Sequence, residues 1–447
     1  REALVTGDHN FWILRDGQML LLPTAEIRAG AWIPLPPHLP APSTEITSLN
    51  LLSVLAEENL YVAAQDQVRE MVAAGGYREL VARLRPHYEA PWDKLYAVLH
   101  NQRGSRIPVG VFKELLEHSP RLRLYWRPEE ARIVGKLDRC SLPATMPISD
   151  GLLQLIGYYL AEGNSQSQSG YFVWSNLSPE IQQGFEYALV SLGIPFTRRN
   201  AKDYQVSSAP LALLLRHLAG SRASDNHLPP FWPQLSDAQL GLLLRAYFDG
   251  DGYVERASAV CCTTASQRLA YDLAWALLRF GIWARIRRVW KRATNSSHSG
   301  AWYWQITISG QENLQKFRQF IGFGAKAKSL ALEQQLSRGR HSNVDVVPGC
   351  ADRLRYLREE LGLSKKQMAR LVGISRSAVY LFETGRRNPL RPTLERILQA
   401  LSEVALSHNS QNRWWEEWAF LERLEHCDGR SWNRWNPCPT TNPSCTT

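Results

Sequence analysis

The sequence predicts a multidomain α+β protein with a β-rich start, a duplicated α/β unit at its centre and an all-α unit near its end. Three observations carry this. Residues 149–336 repeat themselves, residues 1–36 read as short strands around a tight turn, and residues 351–404 read as short helices separated by a glycine-containing turn. At 447 residues the chain exceeds one ordinary core, taking ~100–200 residues per domain.

Composition narrows the function classes. Hydrophobic residues make up 44% of the chain, and no apolar run approaches the ~20 residues of a membrane span. Neither a signal nor a transit peptide is visible, so no membrane partner and a cytoplasmic location are expected. The net charge of +10 suits a polyanionic partner, although a basic balance also describes a merely solvated surface. Seven cysteines include no Cys-x-x-Cys pair and no His/Cys cluster at zinc spacing. Arg1 in place of methionine and the irregular last residues read as the ends of a fragment.

Residues 1–42 form the first segment. Phe11–Leu14 and Met19–Leu22 flank Arg15-Asp16-Gly17, a hairpin signal, and a Pro-rich run from Pro34 to Pro42 closes it. From 43 to 140 apolar residues recur at helical spacing, among them Val68, Met71, Leu115 and Leu116, which predicts a helical linker or accessory subdomain.

The repeat follows, with copies at about 149–235 and 236–336. Leu155-Ile-Gly-Tyr-Tyr-Leu-Ala-Glu162-Gly163 matches Leu244-Arg-Ala-Tyr-Phe-Asp-Gly-Asp251-Gly252, the two acids lying 89 positions apart. Leu192-Gly193-Ile194 matches Phe280-Gly281-Ile282 at an offset of 88. Each copy reads helix, strand, helix, strand, strand, helix. Ser149 and Ser236 are N-cap residues, and Gly163 and Gly252 are expected to end their helices in the left-handed conformation. Gly157 and Ala161, like Ala246 and Gly250, put small side chains four apart, leaving a groove that admits close helix packing. If these helices pack on each other, Glu162 and Asp251 meet at one end. Two carboxylates without a basic partner repel, and a divalent cation held between them relieves this. For a single copy, an ordinary capped helix is the better reading; duplication favours a site.

These two motifs resemble the dodecapeptide (LAGLIDADG) motifs of homing endonucleases, particularly those carried inside inteins, over about 149–336. The resemblance implies a saddle of two αββαββα halves whose sheets read the DNA major groove, in a monomer with internal pseudo-twofold symmetry. It also implies Mg²⁺ held by Glu162 and Asp251 for hydrolysis of both strands of a long double-stranded target. Asp249 and Leu160 occupy the less critical sixth motif position. Lys328, in Lys326-Ala-Lys328, matches the basic residue that members place near a scissile phosphate, or is an ordinary exposed lysine. The first copy departs: it reads Asn226-His227-Leu228-Pro229 where a lysine often stands. Arg285, Arg287, Arg288 and Lys291 mark a basic strand that contacts DNA or serves as a charged edge.

Residues 351–404 carry Ser364–Leu371, a turn at Val372-Gly373-Ile374, and Ser375–Glu383, with Ala369 and Val379 at the helix contact. This resembles the XRE/Cro helix-turn-helix family, in which Gln367 reaches a phosphate and Arg376, Ser377 and Tyr380 face the major groove. The alternative is a three-helix scaffold without DNA contacts. Residues 405–447 are Trp-rich and have no assigned role.

Thr6-Gly-Asp-His9 before a hydrophobic strand resembles the Thr-x-x-His motif of intein (Hint) splicing domains, so a Hint remnant and host-protein exteins as precursor partners are expected. An ordinary hairpin histidine is the alternative. His408-Asn409-Ser410 follows a helical segment and is not taken as a splice junction, so the chain by itself is not expected to splice. The leading expectation is an intein-borne, Mg²⁺-dependent site-specific DNA endonuclease. A non-catalytic DNA-binding regulator and an RNA maturase remain its rivals.

Overall fold

A computed structural model describes residues 8–15, 18–28, 38–71, 106–118, 123–136, 140–165, 170–256, 258–292, 300–337, 346–407 and 414–426, with isolated positions at 73, 78, 81–82 and 85. They belong to two compact units, Pro40–Gly339 and the combination of Arg1–Leu39 with Arg340–Thr447.

The chain opens with the antiparallel pair β1 (Asn10–Arg15) and β2 (Gln18–Pro23), in register from Asn10 opposite Pro23 to Arg15 opposite Gln18. The turn at Asp16-Gly17 lies outside the described residues.

The stretch 43–140 is not all-helical. It holds α1 (Leu51–Val54), α2 (Gln65–Met71) and α3 (Val109–His118). Between them run β3 (Ser48–Asn50), β4 (Tyr61–Ala63), β5 (Ile107–Pro108), β6 (Arg132–Val134), β7 (Ser141–Pro143) and β8 (Thr145–Pro147). The sheet order is β5-β4-β6-β7, and β3 pairs with β8. Strands of two or three residues are too short to display alternation, which is why periodicity concealed them. Nor is this stretch a detached linker. Val62, Phe112 and Ile133 share one continuous core with Leu155 and Leu244 of the repeats, and His217 Nε2 lies 2.7 Å from Glu58 Oε1.

The first repeat comprises α4 (Asp150–Glu162), β9 (Gly163–Asn164), β10 (Phe172–Ser175), α5 (Pro179–Ser191), β11 (Thr197–Arg198), β12 (Asp203–Val206) and α6 (Ala209–Ala219). The second comprises α7 (Asp237–Asp251), β13 (Tyr253–Glu255), β14 (Ala259–Thr264), α8 (Gln267–Arg279), β15 (Ala284–Lys291), β16 (Ala301–Ser309) and α9 (Gln311–Phe320), followed by α10 (Lys326–Ser337). Each repeat is therefore αββαββα, with one more strand than periodicity predicts, because β9 and β13 leave the acidic helices without a break. The sheets have matching orders, β9-β10-β12-β11 and β13-β14-β16-β15. Both second helices end alike. Gly193 and Gly281 sit at φ 66°, and the following residue donates back into the last turn, Ile194 N to Leu189 O at 2.9 Å and Ile282 N to Leu277 O at 3.1 Å.

In the other unit, α11 (Ala351–Glu360), α12 (Lys365–Val372), α13 (Arg376–Glu383) and α14 (Arg391–Ser407) surround a core that includes Leu354, Met368, Val379, Ile397 and Leu401. The Trp-rich tail gains a structural role through α15 (Trp414–His426). Its Leu421 is buried in the same core and Arg353 stacks over Phe420 at 3.6 Å. The helical domain therefore extends past 404, a continuation that only the packing reveals.

Candidate active site

The small residues of α4 and α7 do what their spacing predicts. A Cβ added at Gly157 would lie 2.4 Å from Leu243 O and 2.7 Å from the Ala246 methyl, and one at Gly250 would lie 2.4 Å from the Ala161 methyl. Only hydrogen at these positions lets the two backbones come so near. Ser149 Oγ accepts from Leu152 N, and Ser236 forms a reciprocal capping box with Gln239, so both helices start as predicted.

Their ends differ from expectation. Gly163 and Gly252 are extended, at φ −77° and ψ 141° and 148°, not left-handed. Glycine is needed there for space: an added Cβ would lie 2.5 Å from Tyr159 O at Gly163 and 2.4 Å from Phe248 O at Gly252. The chain turns directly from helix into β9 or β13, and each acid stands at that corner.

Glu162 and Asp251 face each other there. The Glu162 Cγ is 3.5 Å from the Cβ position of Gly250, and each carboxyl responds to its surroundings. Burial, then repulsion from Glu162, pushes Asp251 up to about 8, against the nearby Tyr247 hydroxyl and attraction to Lys328. Burial raises Glu162 as well, opposed by Lys328 and by Asn176, whose Nδ2 donates to Glu162 Oε1 at 3.3 Å. Two half-buried carboxylates that resist ionising together suit a divalent cation with oxygen ligands. Among the described residues no group of three or more His, Cys, Asp or Glu side chains forms a metal site. Glu162 and Asp251 would hold such an ion with oxygen ligands completed by solvent or substrate.

Lys328 lies at the same corner. Its Nζ donates to Phe248 O at 3.3 Å, to Gly250 O at 3.1 Å and to Asp249 O, capping the last turn of α7. Burial lowers its proton affinity while Asp249, Asp251 and Glu162 raise it. Asp249 is structural: its Oδ1 accepts from Gly324 N at 2.8 Å and Ala325 N at 3.1 Å, fixing the start of α10 that carries Lys328. The corresponding bond in the first repeat comes from Asn226, whose Nδ2 donates to Leu160 O at 3.3 Å. Leu160 and Asp249 are 89 positions apart, so a neutral amide occupies the place of the lysine. Asn226 and Asn176 are the residues that sequence reasoning missed. The first lay within the string where the lysine was sought; the second, just after β10, carried no repeat signal.

The basic strand divides by face. Ile286, opposite Ile306, packs partly buried against the core, so by alternation Arg285, Arg287 and Lys291 share the opposite face while Arg288 does not. Lys291 Nζ bonds Thr263 Oγ1 at 2.7 Å on that face, whereas Arg288 packs over Trp302 at 5.0 Å. The four candidates therefore do not form a single contact surface. The matching strands of the first repeat, β11 and β12, span two and four residues against eight and nine for β15 and β16.

In the helix-turn-helix, Gly373 is left-handed at φ 72° between α12 and α13, and Ala369 and Val379 are buried at the contact as predicted. Arg376, Ser377 and Tyr380 are all exposed on α13, with Lys365 and Arg386 over the Tyr380 ring at 5.3 and 5.8 Å. The Gln367 carbonyl is engaged in a capping box, accepting from Ser364 N at 2.8 Å. At the start of the chain, Thr6 lies outside the described residues. His9 is exposed, with its ring 5.1 Å from Phe11 and its carbonyl accepting from Thr24 N at 2.8 Å.

Residues 238–322 match the LAGLIDADG-like domain and residues 351–402 match a helix-turn-helix domain. The chain is 28% identical over 273 residues to the replication factor C small subunit of Thermococcus kodakarensis, covering 58% of this chain and 30% of that protein. It is 33% identical over 165 residues to the probable translation initiation factor IF-2 of the same organism, covering 37% of this chain and 13% of that protein. The chain thus spans less than a third of either relative. Among solved structures, full-length DUF199/WhiA from Thermatoga maritima is similar over 63% of this chain and 92% of that one, with 13% identity and a TM-score of 0.31. I-DmoI with DNA and Mn is similar over 39% and 97%, with 11% identity and a TM-score of 0.28. Among the described residues no helix is long and apolar enough to cross a membrane. The chain carries a LAGLIDADG-like domain over residues 238–322, followed by a helix-turn-helix domain over residues 351–402.

Proposed function

We propose that the chain is the nuclease-bearing part of an intein: a Mg²⁺-dependent homing endonuclease that cuts both strands of a specific duplex, with its helix-turn-helix adding target contacts. The observation that carries this is the meeting of Glu162 and Asp251 at the ends of two helices held together by Gly157 and Gly250. The relatives support the intein setting. Replication factor C and initiation factor IF-2 are named for unrelated roles, yet each matches this chain over a minor part of its length. That pattern fits a shared insertion rather than a shared host activity. Thr6 and His9 would belong to the splicing part of that insertion, and the exteins would be the precursor's host segments.

In this reading Mg²⁺, when bound, activates water and stabilises the leaving oxygen of a phosphodiester. Glu162 and Asp251 would hold the ion, and Lys328 offsets charge at the corner it shares with the acids. Arg285, Arg287 and Lys291 meet the duplex from the sheet, and Arg376, Ser377 and Tyr380 meet it from α13. The test is incubation with Mg²⁺ and a duplex from the uninterrupted host gene. Double-strand cleavage is expected, and its loss in Glu162→Gln with Asp251→Asn, with binding retained. No cleavage by the unaltered chain, or undiminished cleavage by that double variant, refutes it. Asn226 in place of a lysine favours a second reading, a non-catalytic DNA-binding regulator, which predicts metal-independent binding without strand scission.

A further inference from the structure

Beside the acidic end of α4 lies an open cleft lined by Tyr159, Gly163, Ser165, Ser221, Arg222 and Asn226, among others. Among its described lining residues Arg222 is the one charged side chain, and no carboxylate lines it. The turn that carries Arg222 is anchored to α4 at both ends. Tyr159 Oη donates to Gly220 O at 3.2 Å, and Asn226 Nδ2 donates to Leu160 O at 3.3 Å. Within the turn Asp225 N bonds Arg222 O at 2.8 Å and His227 N bonds Ala219 O at 3.1 Å. Gly220, at φ 97°, cannot carry a side chain there, since a Cβ would lie 2.7 Å from Asp225 O. A pinned turn thus sets an exposed arginine on the cleft that Gly163, the residue after Glu162, also lines, in the repeat that has lost its lysine.

We propose that Arg222 is the phosphate-binding cation of the first repeat, supplying from the cleft the charge that the neutral Asn226, in the place of Lys328, does not. The ligand is a phosphodiester of duplex DNA, which a planar guanidinium grips through two parallel hydrogen bonds. Ser221 and Asn226 border the same cleft. This assignment rests on the nuclease reading above.

The test uses the full chain and duplexes that it enriches from a randomised library in Ca²⁺, with the two strands labelled differently and cutting started with Mg²⁺. Arg222→Ala is expected to slow cutting of one strand by about a hundredfold, as for removal of one charge-stabilising group, and Lys328→Met to slow the other. Arg222→Lys is expected to recover most of the lost rate. Binding of the same duplex in Ca²⁺ should show a salt dependence shallower by about 0.9 in Arg222→Ala, the loss of one phosphate contact. Equal slowing of both strands, an unchanged rate, or an unchanged salt slope overturns the assignment while leaving the nuclease reading intact. Displacement of the duplex by inorganic phosphate at matched ionic strength, abolished by Arg222→Ala, overturns it in favour of a free-anion site. No cutting of any enriched duplex by the unaltered chain overturns both.

Discussion

Moving one methyl group between the two acidic helices tests whether their contact builds the site. The Cβ that Gly250→Ala adds would fall 2.4 Å from the Ala161 methyl, whereas carbon atoms rest about 3.5–4.0 Å apart. The helices must therefore separate by about 1 Å at the corner that holds Glu162 and Asp251. Overpacking of this kind costs about 3 kcal/mol where two methyls fixed to helix backbones collide, and alanine's helix preference returns about 1 kcal/mol. The net loss of about 2 kcal/mol corresponds to a fall of about 3 °C in Tm for a unit of this size. Ala161→Gly alone costs about 1 kcal/mol in helix propensity. Combined, the two changes only transfer the methyl, so the double variant should sit within about 0.5 kcal/mol of the parent, revealing a coupling of about 3 kcal/mol. Thermal unfolding of the four proteins measures it. Additive single effects, or a Gly250→Ala protein as stable as the parent, would show that the helices are not in the contact described.

Other outcomes follow from the same geometry. Asp251 binds its proton up to about 8 in the folded chain but only to ~3.9 unfolded. The stability that Asp251 contributes without metal is therefore fullest below pH ~4 and is lost as pH rises through about 8. Calorimetry should also show Mg²⁺ stabilising the chain more at pH 8.5 than at pH 6, and Asp251→Asn should flatten both trends; a pH-independent metal effect contradicts this. Arg285→Ala and Arg287→Ala should each lower the salt slope of DNA binding by about one, while Arg288→Ala, on the other face, should not; binding titrations over a salt series decide. In the helix-turn-helix, Arg358 and Glu383 form an ion pair with side-chain exposures of 8% and 1%, so Glu383→Gln should destabilise that unit by about 3 kcal/mol, read by urea unfolding; a shift under 1 kcal/mol would count against the pair. Leu421→Ala should cost about 2–4 kcal/mol in the same unit, and no loss there would remove α15 from its core.

Much of the site was legible because it is written twice. Repetition at 89 positions, a serine before each helix and small residues four apart are local signals, and they located α4, α7 and the acids they carry. The helix-turn-helix was legible for a similar reason, since Gly373 and the buried pair Ala369 and Val379 lie close together in the chain. What failed was conformation set by distant neighbours. Gly163 and Gly252 read as left-handed caps because a glycine after a helix usually is one, yet here the strand that follows demands extended backbone and leaves no room for a Cβ. The short strands β3 to β8 gave no alternation to detect and exist through their partners.

By itself, then, the sequence determined the duplicated framework, the identity of the paired acids and the presence of a second DNA-binding type of fold. Tertiary structure decided everything that depends on which side chains meet. It divided Arg288 from Arg285 and Arg287 by strand register, set Asp249 to fix α10 instead of joining the acids, and put the amide of Asn226 where the second repeat has Lys328. The physical reason is common to all three. A local pattern specifies what a segment is, but the charge balance of a site comes from groups far apart in sequence that folding brings within hydrogen-bonding distance.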